Sequence, residues 1–316
     1  MELAIKAVGE NGKLQKITTF IVISSSALTL LLAVSFAYLT KQPEFLCRRV
    51  SALNLQFQHC DLAENICNSN FELEKDPERS VYNFSYSFDL FCSNAFYIPM
   101  LSTLYFFGGI LGCVFLSSVP DTYGRQKLYK ILMVISLVLH VNLLFAFGPI
   151  HLVVLHFLSG IASFAFGMSS VIVSEYIPRN IAGIIMSFTN AIYPFSGITI
   201  GLFFMFINNW RVLFFITTLV HVIVTYLTLK YFVESPRWLN CQKKTDECLA
   251  TLGLIAEING ATKQWEYFKQ NNQRKINKIF IFRSPSTRRF QKNNKYSKNI
   301  FIISDIKFQI SKNEFF

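Results

Sequence analysis

Five long blocks of this chain carry no charged side chain: 17–40, 90–120, 131–174, 180–210 and 212–229. Polar and charged residues gather between the blocks, so the apolar positions form continuous runs, not one amphipathic stripe. A helix needs about 20 apolar residues to cross the hydrocarbon core of a membrane. The 131–174 block is about twice that length, and Gly148-Pro149 interrupts it. Proline cannot continue a preceding helix, so this block reads as two spans joined by a tight turn. The pattern predicts six spans, near 17–39, 95–119, 129–148, 151–173, 184–207 and 212–232. The expected fold class is an all-α integral membrane bundle.

Composition supports this reading. Hydrophobic residues make up 52% of the chain and charged residues 16%, too apolar for an ordinary soluble domain. The first block is longer than the roughly 7–15 apolar residues of a secretory signal. No small-residue cleavage site follows it, so it reads as a retained span. Charge sets the orientation. The loop 41–89 has five Lys/Arg against eight Asp/Glu, whereas 234–316 has sixteen against seven. The short loop after the second span adds Arg125 and Lys127. The positive-inside rule then puts residues 1–16 and everything after 233 in the cytoplasm, and the loop 40–94 outside. The net charge of +11 lies mostly in the C-terminal stretch, where it suits anionic inner-leaflet lipid. It comes with no nucleic-acid-binding signature, so nucleic acid is not expected as a partner.

Cys47, Cys60, Cys67 and Cys92 fall in the expected outer loop and suit two disulfides, with three connectivities open. Asn83-Phe-Ser85 on the same loop is a glycosylation acceptor. His140, His151, His156 and His221 are scattered over spans and turns. There is no phosphate loop, zinc spacing or nucleophile elbow. Neither enzyme activity, nor a cofactor, nor a metal is expected.

Two strings at span exits carry more information: Asp121-Thr-Tyr-Gly124-Arg125-Gln-Lys127 and Glu234-Ser-Pro-Arg237-Trp-Leu239. Between them lie Glu175-Tyr-Ile-Pro178 at the end of span four and Asn208-Asn-Trp210-Arg211 before span six. Phe88-Asp-Leu-Phe-Cys92 leads into a span containing Gly108-x-x-x-Gly112, a helix-packing pattern. In this order and spacing the chain resembles the major facilitator superfamily, organic cation/anion transporter branch. The resemblance covers residues 17–260 and extends toward Arg289. Full members have twelve spans, so it implies a six-helix N-terminal half of a major facilitator bundle. Some positions depart from the family pattern. Ser117 stands for a small glycine, and Thr122, Gln126 and Ala182 stand where basic residues are frequent. His156 stands for an arginine.

The resemblance implies transport of small organic ions or solutes by alternating access. Asp121, Gly124, Arg125, Glu175, Glu234 and Arg237 would form a cytoplasmic gate, and Ser25, His156, Ser163, Asn190 and Tyr193 are candidates for the substrate cavity. The expected partners are the lipid bilayer, a small organic solute, and a second carrier half or a second copy. The expected location is the plasma membrane. The alternatives are a non-transporting or regulatory half-carrier and a sugar-porter-like transporter. Residues 234–290 read as a central loop and 291–316 as a disordered basic tail. Composition alone suggests a frame change in that tail.

Overall fold

The computed structural model describes residues 2–9, 11–49, 58–59, 67, 71–76, 79–177 and 179–271. A short helix α1 (Glu2–Ala7) is followed by the first long helix, α2 (Lys13–Leu39). A loop then forms the strands β1 (Phe45–Arg49), β2 (Gln58–His59) and β3 (Phe71–Lys75) and the turn of helix α3 (Phe84–Ser87). The second long helix is α4 (Tyr97–Leu116), and the short α5 (Val119–Tyr123) leads into α6 (Arg125–Leu144). Span four is made of α7 (Pro149–Ala162) and α8 (Phe164–Tyr176). Next come α9 (Arg179–Phe206), α10 (Trp210–Tyr231) and three cap helices, α11 (Pro236–Cys241), α12 (Thr245–Asn259) and α13 (Thr262–Asn271). Six of these stretches are long and apolar enough to cross a membrane.

The helix ends depart from the expected spans for local reasons. Hydropathy limits where the chain can cross, whereas turns and caps set where a helix begins. Gly124, at φ +104°, ends α5 and starts α6 at Arg125, one turn before the expected edge. Span four is interrupted at Ser163, whose hydroxyl bonds back to the carbonyl of Gly160 at 2.6 Å. Such a bond competes with the helix ladder and bends it.

The tightest seam joins α4 and α7, where backbone meets backbone. A methyl group at Gly160 would land on the Tyr105 carbonyl oxygen, and one at Gly112 would lie 2.7 Å from that of Ile161. Gly108 meets Phe157 in the same way, so small residues set the helix separation. Phe106, Phe107, Ile110 and Phe115 on the same helix stay exposed. Outward apolar side chains of this kind suit lipid contact.

At the loop end, the strands pair antiparallel in the order β2-β1-β3. Phe45 sits opposite Lys75, and Leu46 opposite both Glu74 and His59. Cys67 and Cys92 form a disulfide with their Cα atoms 5.3 Å apart. Cys60 and the side chain of Cys47 lie outside the described residues. Helix α3 plugs this end of the bundle. Phe84, fully buried, packs against Trp210, Phe214 and His156 at ring separations of 4.9, 5.9 and 5.7 Å.

Asn83, the expected glycosylation acceptor, is committed to the fold. Asn83 is 1% exposed, and its amide donates to the carbonyls of Tyr38 at 2.8 Å and Lys41 at 2.7 Å. Its oxygen accepts the Tyr86 N–H at 3.0 Å, capping α3. Both amide hydrogens are engaged within the fold. A three-residue sequon carries no information about burial.

Candidate functional site

The candidate gate residues meet at the other end of the bundle, built around the first turn of α6. That helix has no capping side chain of its own. The carboxylate of Glu234, from the chain after α10, takes that place. It accepts the backbone N–H groups of Arg125 at 3.1 Å and Gln126 at 3.2 Å. A carboxylate at a helix N-terminus satisfies orphan donors and meets the positive end of the macrodipole. Gly124 is required twice here. Its φ lies in the left-handed region, and a side chain would collide with Glu234 Oε2.

The Arg125 side chain turns the other way. Its guanidinium forms an ion pair with Glu175 at the end of α8, and donates to Asp121 Oδ1 at 3.1 Å. The side chains of Arg125 and Glu175 are 15% and 13% exposed, while that of Asp121 is 69% exposed. The pair with Glu175 is therefore the desolvated one, and losing either partner strands a charge. The Asp121 contact is a rim interaction of small energy. Arg237 joins through backbone: Nη1 donates to the Ser174 carbonyl at 2.6 Å. It thereby satisfies a terminal carbonyl of α8, a position where a cation is favoured.

Four residues that sequence reading did not place at the site complete it. Trp238 Nε1 and Gln242 Nε2 both donate to the Asp121 carbonyl, at 3.0 and 2.8 Å. Gln126 Nε2 donates to the Phe232 carbonyl at 2.6 Å, and the Tyr176 hydroxyl donates to the Val233 carbonyl. Only the amide at Gln126, standing where a base is frequent, was visible as a departure in the sequence. Ser235 caps α11 by accepting the Trp238 N–H at 3.3 Å. At the other departures no charge is gained: the Thr122 hydroxyl bonds its own helix at Ser118, and Ala182 is buried.

The candidate cavity residues do not come together. Ser25 is buried, donates to the Val22 carbonyl at 3.0 Å and bonds the Tyr129 hydroxyl at 2.5 Å. It is committed to packing between α2 and α6, not to an open cavity wall. His156 also needs correcting. It is fully buried, with Nδ1 2.7 Å from the Leu152 carbonyl and its ring against Phe36 and Phe84. Ser163 spends its hydroxyl on the kink in span four. Asn190 is exposed on α9, and the side chain of Tyr193 lies outside the described residues. Two of the histidines meet in space: His140 and His221, both buried, pack with ring centroids 4.8 Å apart.

The bundle and its charge cluster define a polytopic membrane protein with a rim network joining spans two, three, four and six. The family model for the Major Facilitator Superfamily matches residues 76–296, and the chain belongs to that family. A putative transporter from Caenorhabditis elegans is 24% identical over 223 residues, covering 69% of this chain and 37% of the relative. Organic cation/carnitine transporter 2 from Mus musculus is 25% identical, covering 68% and 39%. The human steroid transmembrane transporter SLC22A24 is 30% identical, covering 54% and 31%. These relatives agree with the organic ion branch that the motifs resemble. The chain spans roughly a third to two-fifths of the length of the curated relatives it matches. Among solved structures, the proton:xylose symporter XylE superposes with a TM-score of 0.50 at 15% identity. The match covers 85% of this chain and 55% of that one, and it speaks to the fold alone.

Proposed function

We propose that this chain is one six-helix half of a carrier that moves small organic ions or solutes across a membrane by alternating access. The carrying observation is the assembly of Asp121, Gly124, Arg125, Glu175, Glu234 and Arg237 into one rim network. Such contacts are suited to a gate, because ions at a rim can exchange a partner for water as the halves move. The reading puts this end in the cytoplasm with both flanking segments, and the disulfide loop outside, most simply at the plasma membrane. The Cys67–Cys92 disulfide supports that side assignment, since disulfides persist in oxidising compartments. A second half, in a longer form of this chain, on another polypeptide or in a second copy, completes the cavity near the bilayer midplane.

The test is uptake of a panel of labelled organic cations, anions and zwitterions into proteoliposomes. The chain is assayed alone and with its completing half, each with and without Arg125→Ala. Uptake that requires the completing half and falls at least tenfold with Arg125→Ala supports the proposal. Uptake insensitive to Arg125→Ala refutes the gate. The uncharged Thr122 and Ala182 favour a second reading, a half-carrier that binds a full carrier without transporting. In that case no panel member is taken up by either combination, while the chain still co-purifies with the carrier.

A further inference from the structure

Asn259, the last residue of α12, does more than precede the left-handed Gly260 that stops the helix. Its side chain reaches across to the turn before α2. The amide nitrogen lies 2.9 Å from the Val8 carbonyl, 3.2 Å from that of Gly9 and 3.0 Å from Gln15 Oε1. The amide oxygen accepts the Leu14 N–H at 2.9 Å. The turn is shaped for this contact. Gly9 has φ +95°, and any side chain at Gly12 would occupy the space of the Asn259 amide. Beneath it, Ala4, Val8 and Leu14 pack onto Trp238, Cys248 and Leu252.

The same segment roofs the charge cluster. Ile5, Val8, Gln15 and Thr18 line a cavity of about 10 Å³ whose other walls include Glu175 and Tyr176. Glu175 Oε2, the oxygen not used by Arg125, is buried. A helix of six residues is too short to persist in water. The segment is therefore ordered by its seat on the cap helices.

We propose that residues 2–9 and 11–15 are a releasable latch, fastened by Asn259 to the cap helices, that keeps the charge cluster closed while it is seated. Asn259 is its positioning residue. The restraint on the cluster rests on the gate reading above, whereas the existence of the latch does not.

Cys248 reports on the latch without any transport assay. It is fully buried under the segment, with its thiol donating to the Pro236 carbonyl at 3.3 Å, while Cys241 is exposed. The purified chain is treated with a maleimide, and alkylation of each cysteine is timed by peptide mass spectrometry. In the unmodified chain Cys248 is expected to react far more slowly than Cys241. Asn259→Ala, and Gly12→Val from the opposite side of the contact, are each expected to speed Cys248 at least tenfold and leave Cys241 unchanged. Equal rates for the two cysteines in the unmodified chain, or variants within threefold of it, overturn the latch.

Hydrogen exchange on the unmodified chain decides the matter should both variants misfold. The Leu14 N–H is expected to exchange more slowly than a free turn but faster than the core amides of α2. Exchange at either limit overturns a releasable latch. In the folded Asn259→Ala chain, the Arg125 and Gln126 amides held by Glu234 are expected to exchange faster. Unchanged exchange there overturns the restraint on the cluster. Failure of the gate reading is separate: it is seen when Arg125→Ala leaves uptake intact.

Discussion

Removing the Glu234 carboxylate tests the claim that a residue after the sixth span caps the third. In Glu234→Ala the N–H groups of Arg125 and Gln126, now 3.1 and 3.2 Å from their acceptor, lose it together. A buried donor left unsatisfied costs about 1–3 kcal/mol, and loss of a helix cap about 0.5–2 kcal/mol. The two figures describe overlapping contacts, so about 3 kcal/mol is a fair total for the pair. At roughly 2–4 °C per kcal/mol for a chain of this size, the melting temperature should fall by about 6–12 °C. Glu234→Gln keeps an acceptor oxygen and loses only the charge facing the macrodipole, worth about 1 kcal/mol or roughly 2–4 °C. The assay is thermal unfolding in detergent, followed by the fluorescence of Trp238, whose ring lies at the same site. Trp210 and Trp265 emit too, so the red shift on exposure of Trp238 is read against Trp238→Phe. A Glu234→Ala chain that melts within about 1 °C of the parent would refute the cap. Equal losses in Ala and Gln variants would show that charge, not the acceptor, holds α6.

Three further outcomes follow from the packing. Gly160→Ala should cost about 1–3 kcal/mol, because the added methyl meets the Tyr105 carbonyl, whereas Gly109→Ala should be nearly neutral, its nearest obstacle being 3.5 Å away; thermal unfolding of the two variants side by side checks this. In a glycosylating host, endoglycosidase treatment should leave the mobility of the chain unchanged at Asn83, and Asn83→Ala should destabilise it by about 1–3 kcal/mol through the stranded carbonyls of Tyr38 and Lys41. Burial pushes the Cys248 thiol from 9.0 up to about 11, so the neutral form is favoured in the folded chain. Its contribution is therefore constant below pH 9 and lost between pH 9 and 11, and Cys248→Ala should flatten that part of the stability–pH curve.

The bundle was legible in the sequence because charge-free blocks of membrane length have few other uses. The charge cluster was legible because its residues lie beside span exits in strings of fixed spacing. What stayed hidden was every contact that joins distant positions through one side chain. Nothing near Asn259 in the sequence indicates that its amide meets the turn at Val8 and Gly9. Ser25 and His156 were misplaced for the same reason. Period and composition put a polar residue in a span without saying which face it occupies, and both faces turned out to be helix contacts. Asn83 carries a motif that enzymes read in unfolded chains, and its burial is a property of the folded one.

The two ends of the bundle are fastened by different chemistry, and this bears on which of them can open. At the loop end the amide of Asn83 and the hydroxyl of Ser85 satisfy the carbonyls of Tyr38, Lys41 and Thr40 at the close of α2. Trp210 Nε1 donates to Ser87 Oγ at 2.9 Å, and the backbones of Tyr82 and Trp210 are bonded at 3.0 Å. These groups surround the fully buried Phe84, so separating them strands neutral polar groups where water does not reach. At the charged end, Asp121 is already solvated, so its contact with Arg125 parts at small cost, whereas the desolvated pair of Arg125 and Glu175 parts only if water reaches both ions. Spans one and six are thus clipped together at the loop end by neutral groups, and the α6 and α8 termini at the other end by ions. The back-bonded Ser163 interrupts span four between these ends, and its hydroxyl already satisfies a carbonyl that bending would expose.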